Sequence, residues 1–414
     1  MDANRLARLQ DELTAFLELM TAGMGRADRQ RWALAYVRGL LLDGDRKSAG
    51  AMAGRLATID HSARDYEQAL QQLLSDSPWA DRPVRDRLAR WAAARAGRGE
   101  KVVVVDDTGF PKKGTHSVGV APQYSGSIGA VGNCQVAVTV QLAAADSVVC
   151  LDAELYLPEA WADDRRRCVA AGVPAGVGHR PKWQIALGLL DRAKATGVAG
   201  IVLADADYGS VARFRAGLAA QGWTYAVAVR PAVVVIAADE DLGEVPPWRG
   251  TGTRPSRPAR VRHLQVRATP VRRWAADRAG DFRRVRWRAG SKGPLRSRFA
   301  AWRVRPAAKV SSRRMPGDEC WLLAEWPAGE AEPAKFYLSN LPPGTSLRAL
   351  VRAAKGRWWV EQSYQQMKEE LGLDHFEGRS WRGWHHHVTL VMLAYAFLAS
   401  LRPAGKKGAA APTG

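Results

Sequence analysis

The chain has 414 residues and can bury a large core without disulfide or metal staples, so small-scaffold protein classes are excluded. Its 61 Lys and Arg outnumber the 41 Asp and Glu, and the formal net charge of +20 favours a polyanionic partner such as nucleic acid or an anionic membrane surface. A hydrophobic content of 47% excludes a disordered basic tail protein, and the four dispersed cysteines form neither a zinc-knuckle spacing nor a dense disulfide frame.

The first part of the chain has a helical pattern. Apolar residues recur every three or four positions from Leu6 to Met20, and Trp32, Tyr36 and Leu40 repeat the spacing. We therefore predict a small all-α domain over residues 1–97. No signal peptide is visible at the N-terminus, and the longest apolar stretch, Val388 to Leu401, is shorter than a membrane span, so we predict a cytoplasmic protein without a membrane partner.

The composition changes at Val102–Val105, a β-branched run typical of a strand buried on both faces. Three strand-like segments come first, and helical and strand-like segments then alternate, which predicts a mixed sheet covered by helices. The further predicted strands are Gln135–Leu142, Val148–Leu157, Ile201–Ala204, Tyr225–Val229, Cys320–Ala324 and Phe336–Ser339, and the predicted helices are Trp183–Ala195, Val211–Gln221 and Leu347–Leu371.

Most of the positive charge lies in one segment. Residues 254–305 contain 17 Lys and Arg but only two acids, a net charge of +15. Strings such as Arg283-Arg284-Val285-Arg286-Trp287-Arg288 predict β-ribbons with arginines on one face. Such a surface attracts phosphates, whereas the alternative is a solvated face inflated by codon usage.

Carboxylates follow two of the predicted strands. Asp106 and Asp107 come directly after Val102–Val105, and Asp205 comes after Ile201–Ala204. Each could be a turn or helix-capping residue, and Asp207 fits the start of a helix. Two carboxylates at neighbouring strand ends are also the hard oxygen ligands that Mg²⁺ or Mn²⁺ requires.

A third carboxylate lies on the predicted helix Leu347–Leu371. Arg357, Glu361, Tyr364 and Lys368 are spaced four, three and four, so they share one helical face. Such a stripe is most often a surface salt-bridge ladder. Because the helix is rich in Trp and Met, we instead expect partial burial of Glu361 against the sheet.

Three blocks of sequence resemble the DDE transposases of bacterial insertion sequences, most closely the insertion sequence 701 family, within the RNase H-like superfamily. The blocks are VVVVDDTGFPKKGTHSVGVAPQY (residues 102–124), LADADYG (203–209) and RWWVEQSYQQMKEELGLDHFEGRSWRGWHHH (357–387). The family signature Y-x-x-R-x-x-x-E-x-x-x-x-x-x-K falls on Arg357, Glu361 and Lys368, while Ala354 replaces its tyrosine.

The resemblance implies a fold class and a set of domains. The expected α/β fold is an RNase H-like mixed sheet with flanking helices, interrupted by a basic β-rich insertion and preceded by the small all-α domain. The expected ranges are 1–97 for the helical domain, 101–230 for the first part of the core, 231–345 for the insertion, 346–402 for the glutamate helix and C-terminal helix, and 403–414 for a disordered tail.

The resemblance also implies the site. Asp107, Asp205 and Glu361 are the expected catalytic residues and metal ligands for two Mg²⁺ ions, for which Mn²⁺ can substitute, and Asp106 is a candidate for supporting the ligand beside it. The strand-end position alone leaves open which of the two adjacent aspartates is the ligand. The expected DNA-binding residues are Arg357, Lys368, Lys112, Lys113, Arg283, Arg284, Arg286 and Arg288.

The implied activity is metal-dependent hydrolysis and strand transfer at insertion-sequence ends. The implied partner is double-stranded DNA, both transposon ends and target, bound by a homodimer in the bacterial nucleoid. Two alternatives remain open from the residues: a catalytically silent DNA-binding protein derived from a transposase, and a metal-dependent nuclease acting on RNA or structured DNA. His385, His386 and His387 point in different directions on a helix, so we expect solvent or DNA-backbone contact rather than metal binding.

Overall fold

The computed structural model describes residues 3–60, 65–97, 99–126, 129–144, 147–242, 247–248, 250–251, 268–290, 293–310 and 313–401. The chain divides into two compact units, one formed by residues up to Gly200 together with those from Trp358 onward, and the other by Ile201–Arg357. The predicted mixed α/β class is confirmed. Among the described residues, no helix is both long enough and apolar enough to cross a membrane.

The first unit begins with five helices, each of which buries one apolar face. Phe16, Leu17 and Met20 are buried on the first helix, and Tyr36 and Leu40 on the second, as their spacing predicts. The helices are α1 (Ala3–Thr21), α2 (Ala27–Leu41), α3 (Ala49–Ala57), α4 (Tyr66–Ser75) and α5 (Asp81–Arg95).

An antiparallel sheet follows, formed by β1 (Lys101–Pro111), β2 (Ala121–Ser125), β3 (Ala130–Ala144) and β4 (Ser147–Leu155). All of β1 pairs with one edge of β3. β2 and β4 pair with successive parts of the other edge of β3. β3 has a paired strand on each edge, and every one of its residues from Cys134 to Ala144 is buried.

β1 is longer than the sequence predicts. The expected strand ended at Val105, but pairing with β3 continues through Asp106 and Asp107 to Pro111. The prediction that these carboxylates lie at a strand end is therefore wrong. They lie within a regular ladder, where successive side chains point to opposite faces of the sheet.

Three helices, α6 (Glu159–Ala162), α7 (Arg165–Ala170) and α8 (Lys182–Ala195), complete this stretch of the first unit. α8 buries Ile185, Ala186, Leu189 and Leu190. A buried ion pair joins α5 to β4, since Nη1 of Arg85 lies 2.5 Å from a carboxylate oxygen of Asp152. This pair helps hold the N-terminal helices against the sheet.

The second unit contains a mixed sheet in the order β5-β6-β13-β12-β10-β7-β8, with β9 and β11 each paired to β10. Only β5 and β6 are parallel among the pairings described within this unit. The strands and helices are β5 (Ile201–Leu203), α9 (Ala206–Gly209), α10 (Ala212–Ala220), β6 (Thr224–Val229), β7 (Val234–Ala237), β8 (Thr269–Pro270), α11 (Val271–Ala276), β9 (Arg283–Gly290), β10 (Gly293–Val310), β11 (Arg313–Pro316), β12 (Cys320–Trp326), β13 (Lys335–Ser339) and α12 (Leu347–Ala354).

The predicted helix Leu347–Leu371 is interrupted. α12 ends at Ala354, a 3₁₀ turn spans Gly356–Trp358, and α13 (Trp359–Glu369) follows. In the second unit, Nζ of Lys355 lies 2.8 Å from a carboxylate oxygen of Glu325. α14 (Trp381–Ser400) then returns to the first unit and is buried along nearly its whole length, which confirms a core helix over most of the predicted apolar stretch.

The histidine triplet on α14 corrects an expectation. His385, His386 and His387 are all buried rather than exposed to solvent or DNA. The ring of His386 contacts the backbone oxygens of α4 and of the segment before α5, and Nδ1 of His387 lies 2.8 Å from the hydroxyl of Tyr36. Sequence alone did not reveal this burial, because the N-terminal helices that cover α14 are distant in sequence.

Candidate active site

Asp106 and Asp107 face opposite sides of the first unit's sheet. In the β1–β3 ladder, Asp106 lies directly opposite Thr139, and Asp107 lies opposite Val138. Residues directly opposite one another in an antiparallel pair share a face. Since Asp106 and Asp107 are consecutive in a regular strand, the side chains of the two aspartates reach different environments.

The Asp106 face is covered by α13. The hydroxyls of Thr139 and Tyr364 are hydrogen-bonded to each other, and the hydroxyl of Ser363 donates to the side-chain oxygen of Gln141 at 2.6 Å. Burial, and then the nearby Asp106 carboxylate, raise the pKa of Tyr364 well above its usual value, so the phenol stays neutral. These buried polar contacts fix the position of α13 along β3, and Asp106 itself is only 9% exposed.

The Asp107 side chain lies on the face of the sheet that α8 approaches. Nζ of Lys182, the first residue of α8, lies 2.5 Å from a carboxylate oxygen of Asp107. The Lys182 side chain is 36% exposed and the Asp107 side chain 26%, so solvent screens the pair partially. Lys182 was not among the residues predicted from the sequence, and its position directly after Pro181 at a helix start is the one local signal that pointed to it.

The helix α13 carries Glu361 and Lys368. The Glu361 side chain is exposed, which corrects the expectation of partial burial, whereas Val360, Ser363 and Met367 are the residues of α13 that reach the core. Lys368 is partly buried and its ammonium donates to the backbone oxygen of Gly109 on β1 at 2.8 Å. Burial lowers the pKa of Lys368.

Asp205 belongs to the second unit, where it follows β5 and caps α9. Its carboxylate accepts hydrogen bonds from the backbone N–H groups of Asp207 at 2.9 Å and Tyr208 at 3.2 Å. Asp205 rather than Asp207 is therefore the helix-capping residue, and Asp207 is an exposed partner of Arg230. A side chain at Gly209 would lie 1.9 Å from the backbone oxygen of Ala228, so only glycine allows α9 to approach β6 this closely.

The predicted phosphate-binding residues are distributed over both units. Lys112 and Lys113 follow β1 in the first unit, and the Lys112 ammonium donates to the backbone oxygen of Phe376 at 2.6 Å. Arg357 lies in the 3₁₀ turn at the end of the second unit. Ala354, which replaces the signature tyrosine, is buried beside Leu350 and Val351.

Arg283, Arg284, Arg286 and Arg288 all lie on β9. The first three are exposed, and Arg288 is partly buried. The expected β-ribbon is present, because β9 and β10 form an antiparallel hairpin. Residues 254–267 and Lys292 of the predicted basic segment lie outside the described part of the chain.

The donor set fits a hard divalent cation. Aspartate and glutamate oxygens are the ligands that Mg²⁺ and Mn²⁺ prefer. Within the residues that the structure describes, no three His, Cys, Asp or Glu side chains form a ready metal-binding group. Asp106 lies on β1, and Glu361 lies on α13, the helix that covers the Asp106 face of the sheet.

Comparisons with known proteins identify the family of the chain. The family model described as DDE superfamily endonuclease matches residues 19–294. Over 317 residues, the chain is 26% identical to a probable transposase for insertion sequence element IS701 from Microchaete diplosiphon, a match that covers 75% of this chain and 69% of the relative. The resemblance drawn from the sequence blocks is thereby confirmed, and the chain belongs to the DDE superfamily of endonucleases and is an enzyme.

Proposed function

We propose that this chain is a DNA transposase that cleaves phosphodiester bonds at the ends of its insertion sequence and joins the freed strand to target DNA. The observation that carries the proposal is that Asp106 and the helix bearing Glu361 share one face of the sheet. The likeness to a probable transposase supports it.

Three carboxylates form the proposed catalytic set: one from β1, Asp205, and Glu361. Two Mg²⁺ ions bound by this set, or Mn²⁺ in their place, would activate a water or 3′-hydroxyl nucleophile and stabilise the leaving oxygen. Hydrolysis and strand transfer would use the same residues, because both reactions displace an oxygen at phosphorus.

Geometry favours Asp106 over Asp107 as the β1 ligand. The resemblance pointed to Asp107, but that side chain faces α8 and is paired with Lys182. Asp106 lies on the face where α13 packs, and its carboxylate is near the phenol of Tyr364. We therefore assign ligation to Asp106 and propose that Asp107, held by Lys182, positions the strand.

Lysine and arginine side chains form the proposed DNA contact. We propose that Lys368 and Arg357 contact phosphates near the scissile bond, and that Lys112 and Lys113 contact the flanking backbone. The hydrogen bond from Lys368 to the Gly109 oxygen keeps its ammonium close to β1. Two copies of the chain would act together on two DNA ends.

The test is cleavage of DNA that carries the ends flanking the gene, in Mg²⁺, by the wild type and by Glu361→Gln. We expect the wild type to cut and Glu361→Gln to bind the same DNA without cutting. Because Glu361 is exposed, this substitution should leave folding intact. Wild-type binding without cutting in Mg²⁺ or Mn²⁺ would contradict the proposal and favour a silent DNA-binding protein.

A further inference from the structure

Four arginines share one face of the β9–β10 hairpin. In the antiparallel register, Arg286 lies opposite Arg296, and Arg284 lies opposite Arg298. Directly opposed residues point to the same face, and residues two apart on a strand do so as well. We call Arg284, Arg286, Arg296 and Arg298 the arginine face.

The other face of this hairpin is occupied by the core. Val285 and Trp287 of β9 pack with Phe299 of β10 against Leu350 and Val351 of α12. The rings of Trp287 and Phe299 meet edge to face, with their centroids 5.4 Å apart. The arginine face therefore points away from α12, and all four of its arginines are exposed.

Further along β10, the same sheet face becomes apolar. Ala300 and Val304 are buried there beneath Val271 and Trp274 of α11. The face changes from apolar to arginine where α11 no longer covers it. An uncovered apolar continuation would invite aggregation, but four guanidinium groups instead create a surface suited to a charged partner.

The two opposed arginine pairs of the arginine face are unfavourable for the stability of the fold. Like charges directly opposite each other on neighbouring strands destabilise a sheet, and here two such pairs adjoin. In the described part of the chain, no carboxylate is paired with any of the four, whereas Arg272 and Arg303 outside the face pair with Glu332 and Glu319. Arg298 lies over the ring of Trp326, with 3.9 Å between its guanidinium carbon and the ring centroid.

We propose that the arginine face binds the phosphate backbone of double-stranded DNA, independently of base sequence. This inference rests on the proposed function, and it refines the DNA contact expected from the sequence, because it adds Arg296 and Arg298 to Arg284 and Arg286 and leaves out Arg283 and Arg288. Guanidinium groups bind phosphates through paired N–H donors, and the four groups here lie side by side on one exposed face of two neighbouring strands.

Arg283 provides a matched control. It precedes Arg284 on the same strand but lies opposite Phe299, on the other face. Its Nη1 donates to the backbone oxygen of Gly280 at 2.7 Å. Arg283→Gln therefore removes the same charge from the same strand without touching the arginine face.

The experiment measures the affinity of the full chain for a DNA duplex of unrelated sequence as a function of salt. Each phosphate contact contributes about 0.9 to the slope of log affinity against log salt concentration. We expect Arg284→Gln to lower the slope by about 1, Arg286→Gln combined with Arg296→Gln to lower it by about 2, and Arg283→Gln to leave it unchanged. The thermal stability of the first two variants should equal or exceed that of the wild type, because a like-charge pair is removed.

Equal effects of Arg283→Gln and Arg284→Gln would overturn the inference, since they would indicate diffuse charge rather than a binding face. A slope effect on duplex RNA without one on duplex DNA would also overturn it. Metal-dependent cleavage of end DNA is measured in parallel. If cleavage occurs but the slopes do not change, only the arginine face fails; if the slopes change as expected but no cleavage occurs, only the proposed function fails.

Discussion

The hydroxyl of Tyr364 on α13 is hydrogen-bonded to the hydroxyl of Thr139 on β3, directly across the ladder from Asp106. Thr139 is 3% exposed, so this contact lies inside the first unit. It ties the helix that carries Glu361 to the strand neighbour of Asp106. The position of one proposed metal ligand relative to another thus depends on two buried hydroxyls.

Tyr364→Phe should weaken this tie. The substitution removes the Tyr364 hydroxyl and leaves the Thr139 hydroxyl without that buried partner. We expect the free energy of unfolding to fall by about 1 to 2 kcal/mol. We also expect a higher Mg²⁺ concentration to be needed for half-maximal cleavage, because α13 is less firmly placed. Denaturant unfolding and a Mg²⁺ titration measure the two effects.

Tyr124→Phe is the control for this prediction, since Tyr124 is 61% exposed. It should change neither quantity. Equal stability of Tyr364→Phe and the wild type would show that the hydroxyl pair does not hold α13.

The Asp107–Lys182 pair should contribute modestly to stability. A partially exposed ion pair is worth roughly 0.2 to 1 kcal/mol, so a double-mutant cycle of Asp107→Asn and Lys182→Gln should give a coupling energy in that range. Mn²⁺ binding to the DNA-free protein should be the same for Lys182→Gln and the wild type. Much tighter Mn²⁺ binding by Lys182→Gln would indicate that Lys182 competes with the metal for Asp107, contrary to our assignment.

Acid should destabilise the protein through the buried histidines. Burial lowers the pKa of His385 and of His387 to about 4 from 6.5. Between pH 6.5 and about pH 4 the unfolded chain binds protons that the folded chain does not. The stability contributed by the neutral histidines is therefore fully present above about pH 6.5, and the free energy of unfolding falls as the pH drops below it. Each histidine contributes about 1.4 kcal/mol per pH unit in this window.

Urea unfolding at several pH values between 7 and 5 measures this dependence. His387→Gln should show a shallower slope than the wild type, by about the contribution of one histidine. The comparison of slopes cancels the pH-independent cost of losing the Tyr36 contact. Identical slopes for the two proteins would rule out His387 as a source of the acid sensitivity.

The buried pair between Arg85 and Asp152 should be costly to break. Asp152→Asn removes the carboxylate that Arg85 and Arg192 contact, at 2.5 Å and 3.0 Å respectively, and leaves Arg85 buried with less compensation. We expect a loss of about 3 to 5 kcal/mol in the free energy of unfolding. Asp86→Asn, which breaks the more exposed pair with Arg82, should cost less than 1 kcal/mol. Similar losses for the two variants would contradict a special role for the buried pair.

Sequence predicted the features that depend on local pattern and on motif spacing. The strand beginning at Val102, the α8 helix and the family resemblance are all correct, because hydrophobic runs and fixed spacings are local properties. The orientation of Asp106 and Asp107 was not accessible in the same way. Strand β1 extends past its apolar run only because β3, encoded some thirty residues later, supplies a partner as far as Cys134.

Two other differences have the same origin. The spacing of Glu361 and Lys368 correctly placed both residues on one helix, but their unequal exposure depends on how α13 meets β1 and β3. The triplet beginning at His385 is polar in sequence, yet α2, α4 and the segment before α5 supply backbone and side-chain partners that bury it. Contacts between distant segments, rather than propensity, decided these outcomes.

The most direct test of the account compares Asp106→Asn with Asp107→Asn in Mg²⁺-dependent cleavage of end DNA, at matched folding and DNA affinity. Because Asp106 shares the face of α13, we expect Asp106→Asn to abolish cleavage as Glu361→Gln does, and Asp107→Asn to retain measurable cleavage. Cleavage by Asp106→Asn together with none by Asp107→Asn would contradict the assignment and return the ligand to Asp107.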